Sequence, residues 1–355
     1  MKTIIDNIQI AAVTSWLPLN NLEMTSLSSE YGEKEVASII KATGVERVRI
    51  ADKNDTSSDM CFRAAEHLIQ QEHIDKNEID GLVFVSQTVD YILPSTSIIL
   101  QERLKLNKDV VCLDIHYGCS GYIYGIFQAA LWIASKACRN VLVLAGDTTS
   151  RMIHPKDKSL RMVFGDCGTA TLVTIGKSPL GVTLHSDGAG YDRLIVRAGG
   201  FRNPVSEETS LLQYDNDNNG RTDNDLYMDG ISIFNFAVNN VYKDIDLLLG
   251  LMCWEKDDIG IFALHQANNF MVNYVRKKIK VAAEKVPMNV TNYGNTGPAT
   301  IPLLLSDVCS TQKYNLDKVI MSGFGVGLSW GSIAANLSKT RFYSCLLYTS
   351  DAADD

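Results

Sequence analysis

The feature that most constrains the fold is a pattern that occurs twice. "IDGLVFVSQTV" (79–89) and "DDIGIFALHQAN" (257–268) each run from acidic residues into an apolar, strand-like stretch. "NVLVLAGDTTS" (140–150) and "KVIMSGFGVGLS" (318–329) form a second matched pair, in the same order along the chain. Two copies of one unit, packed together, bring the ends of equivalent strands close to each other. A site at that junction can draw side chains from both halves.

Each unit reads as α/β. Strands are predicted at 80–88, 110–115, 140–147, 169–176, 259–266, 318–325 and 331–337, where short β-branched runs stand between turn residues. Helices fall between them. "TSSDMCFRAAEHLIQQE" opens on capping residues and continues at helical spacing, and "NFMVNYVRKKIK" is amphipathic with a basic outer face. Alternating strands and helices imply layered α/β architecture. The halves are drawn as residues 1–176 and 177–340. Residues 201–230 are polar and turn-rich and read as a long loop between the halves. Residues 341–355 read as a tail. From about Ser344 its sequence, "SCLLYTSDAADD", resembles translated sequencing-adapter read-through and is expected to be non-native.

Composition narrows the function. The formal net charge is −8, which disfavours nucleic acid as a partner. No uncharged apolar run is long enough to span a bilayer, so no membrane insertion is expected. The start, "MKTIIDNIQIAAV", carries Asp6 within its apolar stretch and reads as a first strand rather than a signal peptide, giving a cytoplasmic expectation. The eight cysteines show no CxxC pair and no zinc spacing, so no metal site is expected. Most, such as Cys112 and Cys253, sit in apolar contexts that suit small core residues.

Cys119 differs. In "HYGCSGYIYG" it follows the strand "VVCLDI" and precedes a run that is apolar nearly all round. A helix beginning there would aim its positive end at the sulfur and favour the thiolate. His265 closes a predicted strand, where α/β proteins gather ligand-facing residues. Asn295 lies in the turn "NYGNTGPATIP", bracketed by glycines. If it points inward its amide donates hydrogen bonds and cannot act as a base. The glycines of "GFGVGLSWG", among them Gly325 and Gly327, do not fit a phosphate-binding loop. They suit a turn that brings a backbone N–H close to a reacting carbonyl.

These four segments, with "TGVERVRIADKNDTSSD", "LPSTSIILQERL" and "HPKDKSLRMVFGDCGTATLV", resemble the β-ketoacyl-acyl-carrier-protein synthase III family of the thiolase superfamily, over nearly residues 1–340. The resemblance implies a thiolase-like five-layered αβαβα fold of two pseudo-duplicated halves, assembled as a homodimer. It implies that Cys119 takes an acyl group from an acyl-CoA or acyl-carrier-protein thioester. Decarboxylative Claisen condensation with malonyl-acyl-carrier protein then gives a 3-oxoacyl thioester. His265 and Asn295 would complete the catalytic set, and the backbone N–H groups of Cys119 and Val326 the oxyanion hole. Leu93, Lys158, Phe270, Gly325 and Gly327 would contact substrate. No cofactor is implied; coenzyme A and carrier-protein thioesters are substrates.

The sequence also departs from the family pattern. Ala42 stands where an arginine usually helps clamp coenzyme A, Phe270 where a basic residue often helps dock the carrier protein, and Lys158 where arginine is common. The cluster Arg276, Lys277, Lys278 and Lys280 offers a substitute docking surface. His116 and Tyr117 precede the nucleophile where small residues are commoner. A specialised pathway is therefore as compatible as the initiation of fatty-acid synthesis. The alternative reading keeps the acyl-cysteine but passes the acyl group to a hydroxyl or amine. A thiolase would place a second cysteine in the turn that here reads Gly325-Val326-Gly327. A non-catalytic scaffold subunit would not be expected to keep Cys119, His265 and Asn295 together.

Overall fold

The computed structural model describes residues 1–344 and the backbone of 346 and 347. Six strands come from the first part of the chain: β1 (Lys2–Leu17), β2 (Gly81–Val85), β3 (Val111–Ile115), β4 (Asn140–Asp147), β5 (Cys167–Ile175) and β6 (Ser178–Ser186). Three follow: β7 (Ile261–Leu264), β8 (Val319–Gly325) and β9 (Ser329–Ala335). The principal helices are α1 (Ser57–Glu72), α2 (Thr96–Arg103), α3 (Gly121–Ala134), α4 (Gly230–Met252), α5 (Asn269–Ile279) and α6 (Thr300–Thr311).

The strands lie in the order β7-β8-β9-β6-β1-β5-β4-β2-β3. From the junction outward, β1-β5-β4-β2 and β6-β9-β8-β7 are the same arrangement. In each, the first three strands pair antiparallel and the last two pair parallel. The junction is β1 against β6, with Lys2 opposite Thr183 and Ile5 opposite Leu180. One long strand serves both halves because its register shifts: Lys2–Ile8 pair with β6, and Ile8–Trp16 with β5. Asn7 supplies the left-handed backbone (φ 64°) where the strand changes partner.

Alternation along the strands builds the layers. Val83, Val85, Val141 and Val143 of one half, with Ile261, Ala263, Val319 and Met321 of the other, enclose α3 and α6. Residues one position along, Leu82, Phe84, Leu142 and Leu144, pack outward on α1 and α2. Phe262, Leu264 and Ile320 pack outward on α4 and α5. The result is helices, sheet, helices, sheet, helices: the thiolase-like αβαβα fold. A helix between two sheets has no polar face to offer, which explains the apolar run after Cys119. Tyr122, fully buried there, is satisfied by a hydroxyl contact with Thr171 at 3.1 Å.

Several expectations need correction. Strand β6 was not foreseen; Pro179 and Gly181 interrupt its run, and only Leu180, Val182 and Leu184 alternate inward. The segment 201–230 is not one loop. Residues 213–214 pair with 220–221, and 226–228 pair with 194–196. The helix behind the nucleophile starts at Gly121, not at Cys119. Cys253 is exposed and ends α4 with a left-handed backbone (φ 52°), so it is no core residue. Arg341–Phe342 pair in parallel with Ala12–Val13, and 346–347 lie beside Trp16–Leu17. Apart from residue 344 and the backbone of 346 and 347, the segment expected to be non-native lies outside the described residues.

Candidate active site

Cys119 lies between β3 and α3, with its side chain almost wholly buried (6% exposed). It borders two cavities. One, of about 170 Å³, is also lined by His265, Asn295, Asn268, Phe324 and Gly325. The other, of about 590 Å³, is lined by Gln87, His116, Asp147, Met152, Val326 and Gly327 among others. Phe164 borders both. The sulfur therefore faces a small, largely apolar chamber into which His265, Asn268 and Asn295 bring polar groups on one side, and a larger chamber on the other.

Each neighbour is held by the architecture. His265 follows β7, and its backbone N–H bonds the carbonyl of Ser322 on β8 at 2.8 Å. Asn295 is clamped by the other half of the molecule: its N–H donates to the carbonyl of Val163, and its carbonyl accepts from Gly165. The backbone N–H of Gly297 donates to Asn295 Oδ1 at 3.0 Å, which leaves the amide NH₂ to face the chamber. Ser329 donates to the carbonyl of Val326 at 2.7 Å and shares a hydroxyl hydrogen bond of 2.6 Å with Ser120. This chain ties the glycine turn to the nucleophile. A Cβ at Gly325 would lie 2.8 Å from Cys119 Cβ and 2.9 Å from Sγ, so only glycine permits the approach.

The electrostatics correct one expectation. Burial, reinforced by the charge of Asp147, pushes the Cys119 thiol up to about 12. The backbone N–H groups of Val326 and Cys119 hydrogen-bond the sulfur and act in the opposite sense, without prevailing. At rest the group is a thiol rather than the thiolate the helix was expected to maintain, because full burial strips the anion of its solvent. The same two N–H groups are the ones expected to hold an oxyanion. His265 is fully buried, and burial pushes it down to about 3, so the ring is neutral at neutral pH. Asp147 is raised to about 6 by burial, although its Oδ1 accepts from Ser86, Gln87 and Thr88.

Gly325 borders the small chamber, and Val326 and Gly327 the larger one. Leu93, Lys158 and Phe270 border neither. Leu93 is exposed, with Tyr91 and Ile92, on the segment before α2. Lys158 donates to the carbonyl of Asp217 and pairs with Glu35 at 3.4 Å; its neighbour Ser159 reaches the chamber instead. Phe270, in the first turn of α5, is exposed and stacks on Phe234 at 5.3 Å. Thr43, immediately after Ala42, lines the small chamber. Sequence reasoning missed Phe164, Gln87, Asp147 and Thr300. All four lie in segments already singled out: Gln87 and Asp147 at the ends of the first matched strands, Phe164 within 154–173, and Thr300 as the fifth residue after Asn295.

A duplicated αβαβα fold whose cysteine, histidine and asparagine meet beneath a glycine turn defines a condensing enzyme of the thiolase-like class. The 3-oxoacyl-[acyl-carrier-protein (ACP)] synthase III model matches residues 113–188, and its C-terminal companion model matches 252–337. A Campylobacter jejuni protein, provisionally named as a 3-oxoacyl-[acyl-carrier-protein] synthase 3, is 32% identical over 99% of this chain and 100% of its own length. A β-ketoacyl-[acyl-carrier-protein] synthase III of Streptococcus pyogenes is 31% identical over 84% of this chain and 90% of its own. The solved 3-oxoacyl-(acyl-carrier protein) synthase from Burkholderia xenovorans superposes with a TM-score of 0.91 at 34% identity, covering 98% of this chain and 99% of that one. The chain belongs to the β-ketoacyl-acyl-carrier-protein synthase III family.

Proposed function

We propose that the chain catalyses a decarboxylative Claisen condensation in two half-reactions. In the first, the Cys119 sulfur attacks an acyl thioester, from acyl-CoA or acyl-carrier protein. The C–S bond to the donor breaks, the donor leaves as a thiol with the cysteine proton, and acyl-Cys119 remains. In the second, malonyl-acyl-carrier protein loses CO₂. The electron pair of the broken C–C bond becomes an enolate whose oxygen accepts hydrogen bonds from neutral His265 and from the Asn295 amide. The enolate carbon attacks the acyl-Cys119 carbonyl. Its oxyanion sits at the N–H groups of Cys119 and Val326, and the cysteine sulfur then leaves as a thiolate and takes up a proton from water to restore the resting thiol. The product is a 3-oxoacyl thioester. Each such donor is worth on the order of 10²–10³ in rate.

The observation that carries this reading is the 170 Å³ chamber, where Cys119 of one half meets His265 and Asn295 of the other. A neutral histidine suits it, because an enolate needs donors rather than a base. The larger chamber is assigned to the acyl chain. The reaction so written balances without a cofactor. We assign the coenzyme A or carrier-protein arm to the side of Thr43, Ser159 and Asn268, and carrier-protein docking to the basic residues of α5. A homodimer is supported by the exposed apolar run Tyr91, Ile92 and Leu93 beside the sheet edge β3. A cytoplasmic setting is supported by the free thiols of buried Cys61, Cys119 and Cys138. No helix among the described residues is long and apolar enough to cross a membrane.

The test is an assay with carboxyl-labelled malonyl-acyl-carrier protein and an acyl-CoA panel. Labelled CO₂ released together with a 3-oxoacyl product supports condensation. An ester or amide product without CO₂ release overturns it in favour of transfer to a hydroxyl or amine.

A further inference from the structure

His265 can stabilise an enolate only if the ring nitrogen facing the substrate carries a proton. A neutral imidazole has one N–H, and the partner of the other nitrogen decides where it sits. Here that partner is a single hydroxyl. His265 Nδ1 lies 2.7 Å from Thr300 Oγ1, with both groups buried. The hydroxyl has one proton and two candidate acceptors. One is Nδ1; the other is the carbonyl of Gly297, at 3.1 Å. That carbonyl already accepts the backbone N–H of Thr300 in the turn Gly297–Ala299. The shorter contact and the acceptor without another donor are both at Nδ1. The proton left on the ring is then on Nε2.

We propose that Thr300 is a positioning residue: its hydroxyl donates to His265 Nδ1 and so keeps the Nε2 proton directed at the substrate oxygen. One turn then polarises both partners of the sulfur. The N–H of Gly297 occupies the only acceptor atom of the Asn295 side chain, and the hydroxyl of Thr300 occupies the only acceptor atom of the His265 ring. Each is left with nothing but donors to present. In the opposite arrangement, with the Thr300 hydroxyl turned to Gly297, Nδ1 would hold the proton and a lone pair on Nε2 would repel the enolate.

The assignment rests on the condensation reading for its consequence, but the position of the proton is measurable without it. Long-range ¹H–¹⁵N spectra of the full chain with ¹⁵N-labelled histidine report which ring nitrogen is protonated. His265→Gln identifies the signal among the six histidines. The expected result is an unprotonated, hydrogen-bonded Nδ1 and a protonated Nε2 in the wild type. Thr300→Val keeps the shape and removes the donor. Its Nδ1 signal should move to that of an unbonded nitrogen, and condensation should slow by about 10- to 10²-fold through loss of orientation. Acylation of Cys119 should remain within about twofold, a split that a merely structural defect would not produce. Thr300→Ser should restore both signal and rate. A wild-type proton on Nδ1, or a Thr300→Val variant with unaltered signal and condensation rate, overturns the proposal. If no condensation is seen with any donor, the function is wrong while the spectra still decide the tautomer.

Discussion

Gly325→Ala tests how closely the glycine turn must approach the nucleophile. The added methyl would lie 2.8 Å from Cys119 Cβ and 2.9 Å from Sγ. Carbon atoms pack comfortably from about 3.5 Å, so the turn and the nucleophile must separate by roughly 0.7 Å. Neither can yield freely. The turn is tied through Ser329 to Ser120, and Cys119 is fixed between β3 and α3. A displacement approaching 1 Å at a reacting atom costs on the order of 10–10² in rate, and the overpacking costs about 1–3 kcal/mol of stability. The assay is acyl transfer from acyl-CoA to Cys119, followed by quenching and intact-mass measurement. Gly250→Ala is the control, because its Cβ would meet open space. Acylation of Gly325→Ala at the wild-type rate would refute the argument, since the sulfur would then tolerate a side chain where contact is said to be closed.

With Cys119 raised to about 12, the thiolate fraction grows tenfold per pH unit below that value. Its alkylation by iodoacetamide should therefore climb about tenfold per unit from pH 7 to 9, and a plateau by pH 8 would contradict the burial argument. His265→Ala and Asn295→Ala should each lower condensation by on the order of 10²–10³ while acyl-Cys119 still forms; equal losses in both half-reactions, measured by CO₂ release and intact mass, would remove them from the enolate step. Thr56→Ala removes one side of a capping box in which Thr56 accepts from the Asp59 N–H and Asp59 accepts from the Thr56 N–H. It should cost about 1 kcal/mol by urea unfolding, without affecting acylation.

Much of this was legible in the sequence because burial leaves a pattern. Asn140–Asp147 is a strand over the very residues read as one, since it is central and apolar between its polar ends. The strand expected over 80–88 stops at Val85 for a reason no local pattern carries: Ser86, Gln87 and Thr88 turn to donate to Asp147, on a neighbouring strand. Strand β6 escaped because Pro179 and Gly181 mask its alternation. The short pairings within 194–228 span only two or three residues, too few for periodicity. At the site, the sequence singled out Cys119, His265 and Asn295, which the structure brings to one chamber, but the electrostatic state of the sulfur was not legible. It depends on desolvation by both halves of the molecule and on Asp147, which approach Cys119 only in the folded chain. The orienting contact of Thr300 with His265 likewise joins residues 35 positions apart.

The most direct measurement is peptide mapping of the full chain after brief incubation with an acyl-CoA panel, alongside Cys119→Ala. A single acyl group on the peptide bearing Cys119, lost in the variant and discharged by malonyl-acyl-carrier protein, is the predicted result. A stable acyl group on any other residue, or undiminished acylation of Cys119→Ala, would contradict the account.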